Sequence, residues 1–179
     1  MVANSKSLSD AVIIFQLADK KCACSVDFIK EVARASSIYK IPNNHPLVEG
    51  ILNLRGMIIP VIRFSSLLNL QETKKNTSHL VLVVNVSGFG VGLLVDHVFK
   101  VERVLKTNFD PSNAEDQNNT EKQDSNPEQD SKEYDTSWIP RRFLKEVVRL
   151  ESGFMCPLLD SRNLSQALWA YVPDKERGQ

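Results

Sequence analysis

The chain has 179 residues, 42% of them hydrophobic and 25% charged, with a formal net charge of zero. This is enough for one domain or two small lobes of ordinary soluble composition, and no apolar run approaches the ~18 residues that a membrane-crossing helix needs. The opening MVANSKSLSD lacks the basic patch and apolar core of a secretory leader, so a flexible N-terminus over 1–10 and a cytoplasmic location are expected.

In chain order, AVIIFQLA and CACSV are short β-rich runs parted by a DKK hairpin signal. Cys22 and Cys24 alternate on the second run, so their side chains share one face and read as core. Three cysteines leave one unpaired, which argues against a disulfide scaffold. DFIKEVARA reads as a helical turn or two, and SSIYKIP as extended up to Pro42. ILNL and MIIPVIRF then flank Arg55-Gly56, and HLVLVVNV and GVGLLVDHVFKVERVL flank Ser87-Gly88.

From Asn108 to Ser137 there are nine acids against two lysines, a local charge of −7 that leaves +7 on the remainder. This stretch is almost free of aliphatic residues and cannot bury enough apolar surface to offset ordering entropy. Residues 110–135 therefore read as an acidic disordered insertion. FLKEVVRL and FMCPLLD follow, parted by Glu151, Ser152 and Gly153. SRNLSQALWAY then closes the fold with helical spacing at Leu164, Ala167, Leu168 and Tyr171, and residues 171–179 form a tail.

An internal repeat runs through these elements. Val26-Asp27 matches Val95-Asp96, and Gly56 and Pro60 recur at the same spacing as Gly153 and Pro157. VIIFQL and LVLVVN open the two halves. The common order predicts two similar β lobes. Proline cannot donate to a ladder, so Pro60 and Pro157 are expected at edges or bulges. Asp27 and Asp96 are expected to serve turns, and many short strands suggest small closed barrels.

Catalytic constellations are missing. His45, His79 and His97 are scattered without ligand-like spacing, and the glycine-rich GFGVG leads into a strand where a phosphate cradle needs a helix N-terminus. No enzyme activity, cofactor or metal is expected. The aromatics are few and not interleaved with basic residues, so nucleic acid is not expected either.

VEGILNLRGMIIPVIRF resembles the central signature of CheW-like domains, the scaffolds of bacterial chemosensory arrays. The pattern is carried by Pro42, Pro46, Gly50, Asn53, Leu54, Arg55, Gly56 and Pro60. Upstream, Ile29, Glu31 and Val32 resemble the family's apolar-x-Glu-apolar segment. Downstream, Gly92, Val95, Asp96 and Val98 resemble its second signature, and GFMCPLLDSRNL its closing strand and helix. The match covers residues 11–107 and 140–170 of a domain spanning 11–170.

The resemblance implies a mainly β fold: two five-stranded barrels packed on an apolar seam, with short helices and a C-terminal helix. It implies a non-catalytic adaptor that couples the cytoplasmic hairpin tip of a chemoreceptor to the regulatory domain of a CheA-type histidine kinase. Such an adaptor is cytoplasmic, is recruited to membrane-associated receptor arrays and does not insert into the bilayer. The receptor hairpin would lie between the barrels and the kinase module would pack barrel to barrel. Read from its residues alone, Arg55 is a solvated turn residue; by resemblance, Arg55 and Glu31 lie at a partner surface, with Ile29, Gly50, Asn53 and Gly56 around them. Leu52, Leu54, Ile58 and Val61 read as core.

Two departures stand out. Arg63 replaces the aspartate or similar polar residue usual in the family. The acidic insertion enlarges a loop that in the family contacts a neighbouring kinase module, which puts Phe109 and Asp110 at a second kinase contact. A tolerated loop expansion, a retuned contact and an acidic loop folding over the basic lobes all stay open. So do an output through type IV pili or gliding, a place in a larger signalling protein and, from another class, a small enzyme or ligand-binding barrel.

Overall fold

The computed structural model describes residues 10–34, 38–42, 45–70, 80–105 and 135–173. The strands are β1 (Ala11–Leu17), β2 (Lys20–Ser25), β3 (Ile29–Arg34), β4 (Val48–Leu54), β5 (Met57–Arg63), β6 (Leu80–Val86), β7 (Phe89–Val95), β8 (His97–Leu105), β9 (Leu144–Leu150) and β10 (Met155–Leu159). Two short helices join them, α1 (Phe64–Leu67) and α2 (Ser161–Leu168), and Trp169–Tyr171 extends α2 as a 3-10 turn.

The strands form two five-stranded sheets. The first closes into a barrel in the order β1-β2-β10-β9-β8, and the second runs β3-β6-β7-β5-β4. Exchanging β1 with β6, β2 with β7, β10 with β5, β9 with β4 and β8 with β3 turns one order into the other, as the sequence repeat predicts. The chain crosses between sheets after each leading hairpin, at Val26–Phe28 and at Asp96. There the Ala18 amide donates to the Asp96 carboxylate, and the Asp96 amide donates to the Gln16 carbonyl at 3.0 Å. The turn role expected of Asp96 is thus seen.

Alternation divides the apolar residues among three cores. On β1, Ile13, Phe15 and Leu17 face a central core, while Val12 and Ile14 fill the first barrel. On β6, Leu82, Val84 and Val86 face the same central core, while Val81 and Val83 fill the second sheet. Both faces of these strands are buried, which is why they read as unbroken apolar runs. Phe64 stacks on Phe15 at 5.8 Å, and Leu164 and Leu168 of α2 are fully buried in this seam. Asp160 caps α2 by accepting from the amides of Arg162 and Asn163.

Cys22 and Cys24 both face the central core, as their alternation predicts, and Cys156 lies inside the first barrel. Burial pushes the Cys24 and Cys156 thiols up to about 12 and raises Cys22 as well, so all three stay protonated and unreactive.

Three expectations need correcting. DFIKEVARA forms one 3-10 turn, Val26–Phe28, and then strand β3, because pairing of Ile29–Arg34 with β6 overrides the helix preference of Lys, Glu and Ala. Ile58 is 57% exposed, since it alternates out of a strand whose Ile59 and Val61 point inward. Pro60 and Pro157 sit in interior strands, each one residue before its strand pairs with a parallel neighbour: Val61 with Gly92, and Leu158 with Ala23. Neither missing N–H interrupts a ladder on that side.

The two sheets differ in closure. In the first, β8 pairs directly with β9 through Val104–Leu150 and Leu105–Arg149. In the second, β3 and β4 are the outer strands. An isolated bridge joins Tyr39 to Ile51 on β4, with both amide–carbonyl bonds at 2.8 Å.

Candidate partner-binding site

The β4–β5 hairpin carries the central motif. Its two turn residues, Arg55 and Gly56, both have positive φ, 53° and 87°. A two-residue hairpin of the I′ type requires this geometry, because its twist matches that of the flanking strands. Asn53 serves the turn as well: its Oδ1 accepts from the Gly56 amide at 2.9 Å. The β6–β7 hairpin repeats the device. Ser87 and Gly88 have φ of 50° and 95°, and Asn85 Oδ1 accepts from the Gly88 amide at 3.0 Å.

Asn53-Leu54-Arg55-Gly56 and Asn85-Val86-Ser87-Gly88 are therefore one turn written twice. The asparagine and the glycine are explained by backbone geometry alone. The arginine is not, since serine fills the same position in the twin. Arginine in the left-handed region costs about 1–2 kcal/mol, so the turn does not account for its choice.

Arg55 reaches across the second sheet to its far outer strand. Its Nη2 donates to Glu31 Oε2 on β3 at 2.9 Å. The Glu31 side chain is 29% exposed and the Arg55 side chain 78% exposed, so the guanidinium keeps most of its donors for solvent or a partner. An exposed pair of this kind adds only ~0–1 kcal/mol to stability.

Around the pair, Leu54, Met57, Ile58, Pro60 and Phe89 line a groove of about 230 Å³ with Lys30 and Glu31 at its rim. Met57 and Ile58 are each 57% exposed. Ile29 begins β3, half-buried against the central core.

Gly50 is buried, and a Cβ there would lie 2.3 Å from the Tyr39 carbonyl oxygen and 2.9 Å from Ile38 Cγ2. The structure places it under the bridging segment. Glu31, Arg55 and Gly56 thus come together at the hairpin end, Ile29 packs against the central core, Asn53 braces the turn, and Gly50 makes room for the Tyr39 carbonyl. Phe109 and Asp110 lie outside the described residues. Arg63, the departure from the family pattern, donates through Nε to Glu49 on the neighbouring strand.

The repeat relates Ile29 and Val32 to a second pair, of which motif reading named Val98 and missed Val101. β3 and β8 carry a bulge at the same place, so Ile29 corresponds to Val98 and Val32 to Val101. Ile29 and Val98 pack partly against the central core, whereas Val32 and Val101 are exposed. The signal was present in the matched Val-Asp positions but needed the bulge register to be read.

A family profile described as a CheW-like domain matches residues 11–125. The chain belongs to the CheW-like domain family. It is 32% identical over 117 residues to a chemotaxis protein CheW of Thermotoga maritima, covering 63% of this chain and 77% of that one. It is 27% identical over 110 residues to the chemotaxis protein CheW of Bacillus subtilis, covering 62% and 70%, and 27% identical over 101 residues to that of Rhizobium meliloti, covering 56% and 65%. The crystal structure of scaffolding protein TtCheW from Thermoanaerobacter tengcongensis superposes with a TM-score of 0.63 at 22% identity, over 89% of this chain and 90% of that one. That likeness extends the CheW-like fold past residue 125, into β9, β10 and α2.

Among the described residues no three His, Cys, Asp or Glu are placed to hold a metal ion, and no helix is long and apolar enough to cross a membrane.

Proposed function

We propose that this CheW-like domain is a non-catalytic scaffold of chemotaxis signalling that couples a chemoreceptor hairpin tip to the regulatory domain of a CheA-type histidine kinase. Its relatives are named chemotaxis proteins CheW. The observation that carries the site is Arg55: an arginine held in a left-handed turn, tied to Glu31 by one nitrogen and otherwise open to solvent. A planar fork of donors suits orientation-specific recognition of a carboxylate or a row of carbonyls. Exposed Met57 and Ile58 beside it supply apolar area, which carries most of the affinity, while the charge sets orientation and on-rate. On this reading the domain acts in the cytoplasm at receptor arrays, and its work is to bridge.

Titration calorimetry of the full chain against a receptor hairpin tip, and separately against a kinase regulatory domain, tests this. Binding to both is expected, with Arg55→Asp weakening at least one by tenfold or more and leaving the melting temperature nearly unchanged. A folded protein that binds neither would sink the coupling role. A large fall in melting temperature for Arg55→Asp would make the residue structural.

A further inference from the structure

The second sheet carries a strap with its own fastening along its edge strand β4. Ile38–Lys40 lies along β4, joined to it by the Tyr39–Ile51 bridge. The Glu49 carboxylate on β4 gathers two cations at this point. Lys40 Nζ on the strap is 3.3 Å from Oε1, and Arg63 Nε on β5 donates to Oε2. The Arg63 amide also donates to the Leu47 carbonyl at 2.8 Å, which fixes the base of that side chain. Glu49 is 20% exposed and Arg63 36%, whereas Lys40 is 77% exposed, so the Arg63–Glu49 half of the cluster is the more shielded. Gly50, beside it, leaves the space into which the Tyr39 carbonyl fits.

At the other end of the gap between β3 and β4, Glu31 and Arg55 make a side-chain tie between the two edges. The sister ring needs neither device, because β8 runs on for nine residues and pairs with β9 itself.

We propose that Lys40–Glu49–Arg63 is a latch that holds the Ile38–Lys40 strap against β4, and that it works jointly with the Glu31–Arg55 tie, so that loosening either one frees the strap from β4 while the first barrel stays intact. Arg63 thereby becomes a positioning residue: it orients the carboxylate that holds Lys40. The strap and the residue after it present Tyr39 and Ile41, both exposed. Where a partner draws Arg55 from Glu31, the second sheet loses that tie, and the surface bearing Tyr39 loosens with it. That consequence rests on the partner reading above; the latch does not.

Amide exchange on the full chain, without any partner, tests the latch alone. Breaking a charge-assisted hydrogen bond of this kind costs enough to raise local opening about tenfold. Glu49→Gln is expected to speed exchange of the Tyr39 and Ile51 amides by about tenfold, with the amides of β1 and β2 unchanged. Lys40→Ala, at an exposed side chain, serves where Glu49→Gln does not fold and is expected to act in the same direction. Glu31→Gln, which leaves the β4–β5 turn untouched, is expected to speed the same two amides. The latch is overturned if Tyr39 and Ile51 exchange at the wild-type rate in the Glu49 and Lys40 variants, or if all amides of both rings rise together. An effect of Glu49→Gln without one of Glu31→Gln would overturn the joint action.

Discussion

Asn53 and Asn85 hold the same post in successive hairpins of one ring: each accepts the amide of the glycine three residues on, at 2.9 and 3.0 Å. Removing either side chain leaves that amide to water and releases a left-handed turn. Asn53→Ala and Asn85→Ala should therefore destabilise by similar amounts, about 0.5–1.5 kcal/mol each, measured by urea unfolding. A markedly larger loss for Asn53→Ala would give it a role beyond the turn. Neither change should alter partner binding by itself while the protein remains folded.

Arg55 should behave in the opposite way. Asn-Gly is the favoured pair for a turn with both central residues at positive φ. Arg55→Asn relieves the strain and gives up an exposed ion pair worth little. Its melting temperature should equal or exceed that of the wild type, and calorimetry should show loss of binding. Retained affinity in a stabilised Arg55→Asn protein would return the arginine to the status of a solvated turn residue.

The hairpin ends and the cores were legible in the sequence because both obey local rules. Arg55-Gly56 and Ser87-Gly88 announce turns, and alternation along AVIIFQL and LVLVVNV assigns each side chain to one of two cores. The strand exchange between rings was legible only as a repeat, since no local signal says that β2 leads into the other sheet. Lys30-Glu31-Val32-Ala33 suits a helix locally; only the ladder with β6, fifty residues away, makes it a strand. The positive φ of Arg55 was hidden because arginine does not advertise that geometry, whereas its neighbour glycine does. The strap was invisible for a related reason: one bridge at Tyr39 is too little periodicity to read.

Gly50 and Gly56 make a contrast in steric terms. A Cβ at Gly50 collides with the Tyr39 carbonyl, whereas one at Gly56 meets nothing within 4 Å and faces only the cost of its φ of 87°. Gly56→Ala should lose about 1 kcal/mol. Gly50→Ala must push the strap away and should lose more, about 2–4 kcal/mol, with exchange at Tyr39 and Ile51 rising well before global unfolding. Equal losses in the two variants would show that the close approach at Gly50 relaxes freely.

Acid should act on the second ring through Glu49. Burial raises its pKa, but the hydrogen bonds and charges of Arg63 and Lys40 outweigh that and hold the carboxyl below its ordinary value of 4.5. A depressed folded pKa means that the unfolded chain binds the proton more readily. The contribution is present above pH 4.5 and is lost as pH falls through the folded value. Glu49→Gln should flatten the fall in stability below that point, measured by urea unfolding from pH 6 to pH 3. An unchanged acid limb would mean that other carboxylates carry it.

Asp135 is where the described chain resumes after the acidic stretch. Its Oδ1 accepts from the Ser137 amide at 3.0 Å, and Trp138 Nε1 donates to its carbonyl at 2.9 Å. Residues 110–134 lie outside the described residues, and their composition predicts a segment that buries nothing. Amide exchange should then be fast from Asp110 to Tyr134 and slow down near Ile139, whose amide donates to the Thr136 carbonyl at 2.9 Å. Replacing residues 111–133 by a Gly/Ser linker of half the length should raise stability by about 0.6 kcal/mol, the entropy of one halving of loop length. A loss greater than about 1 kcal/mol, or protected amides within the stretch, would mean that the acidic residues pack against the domain and that the insertion belongs to its structure.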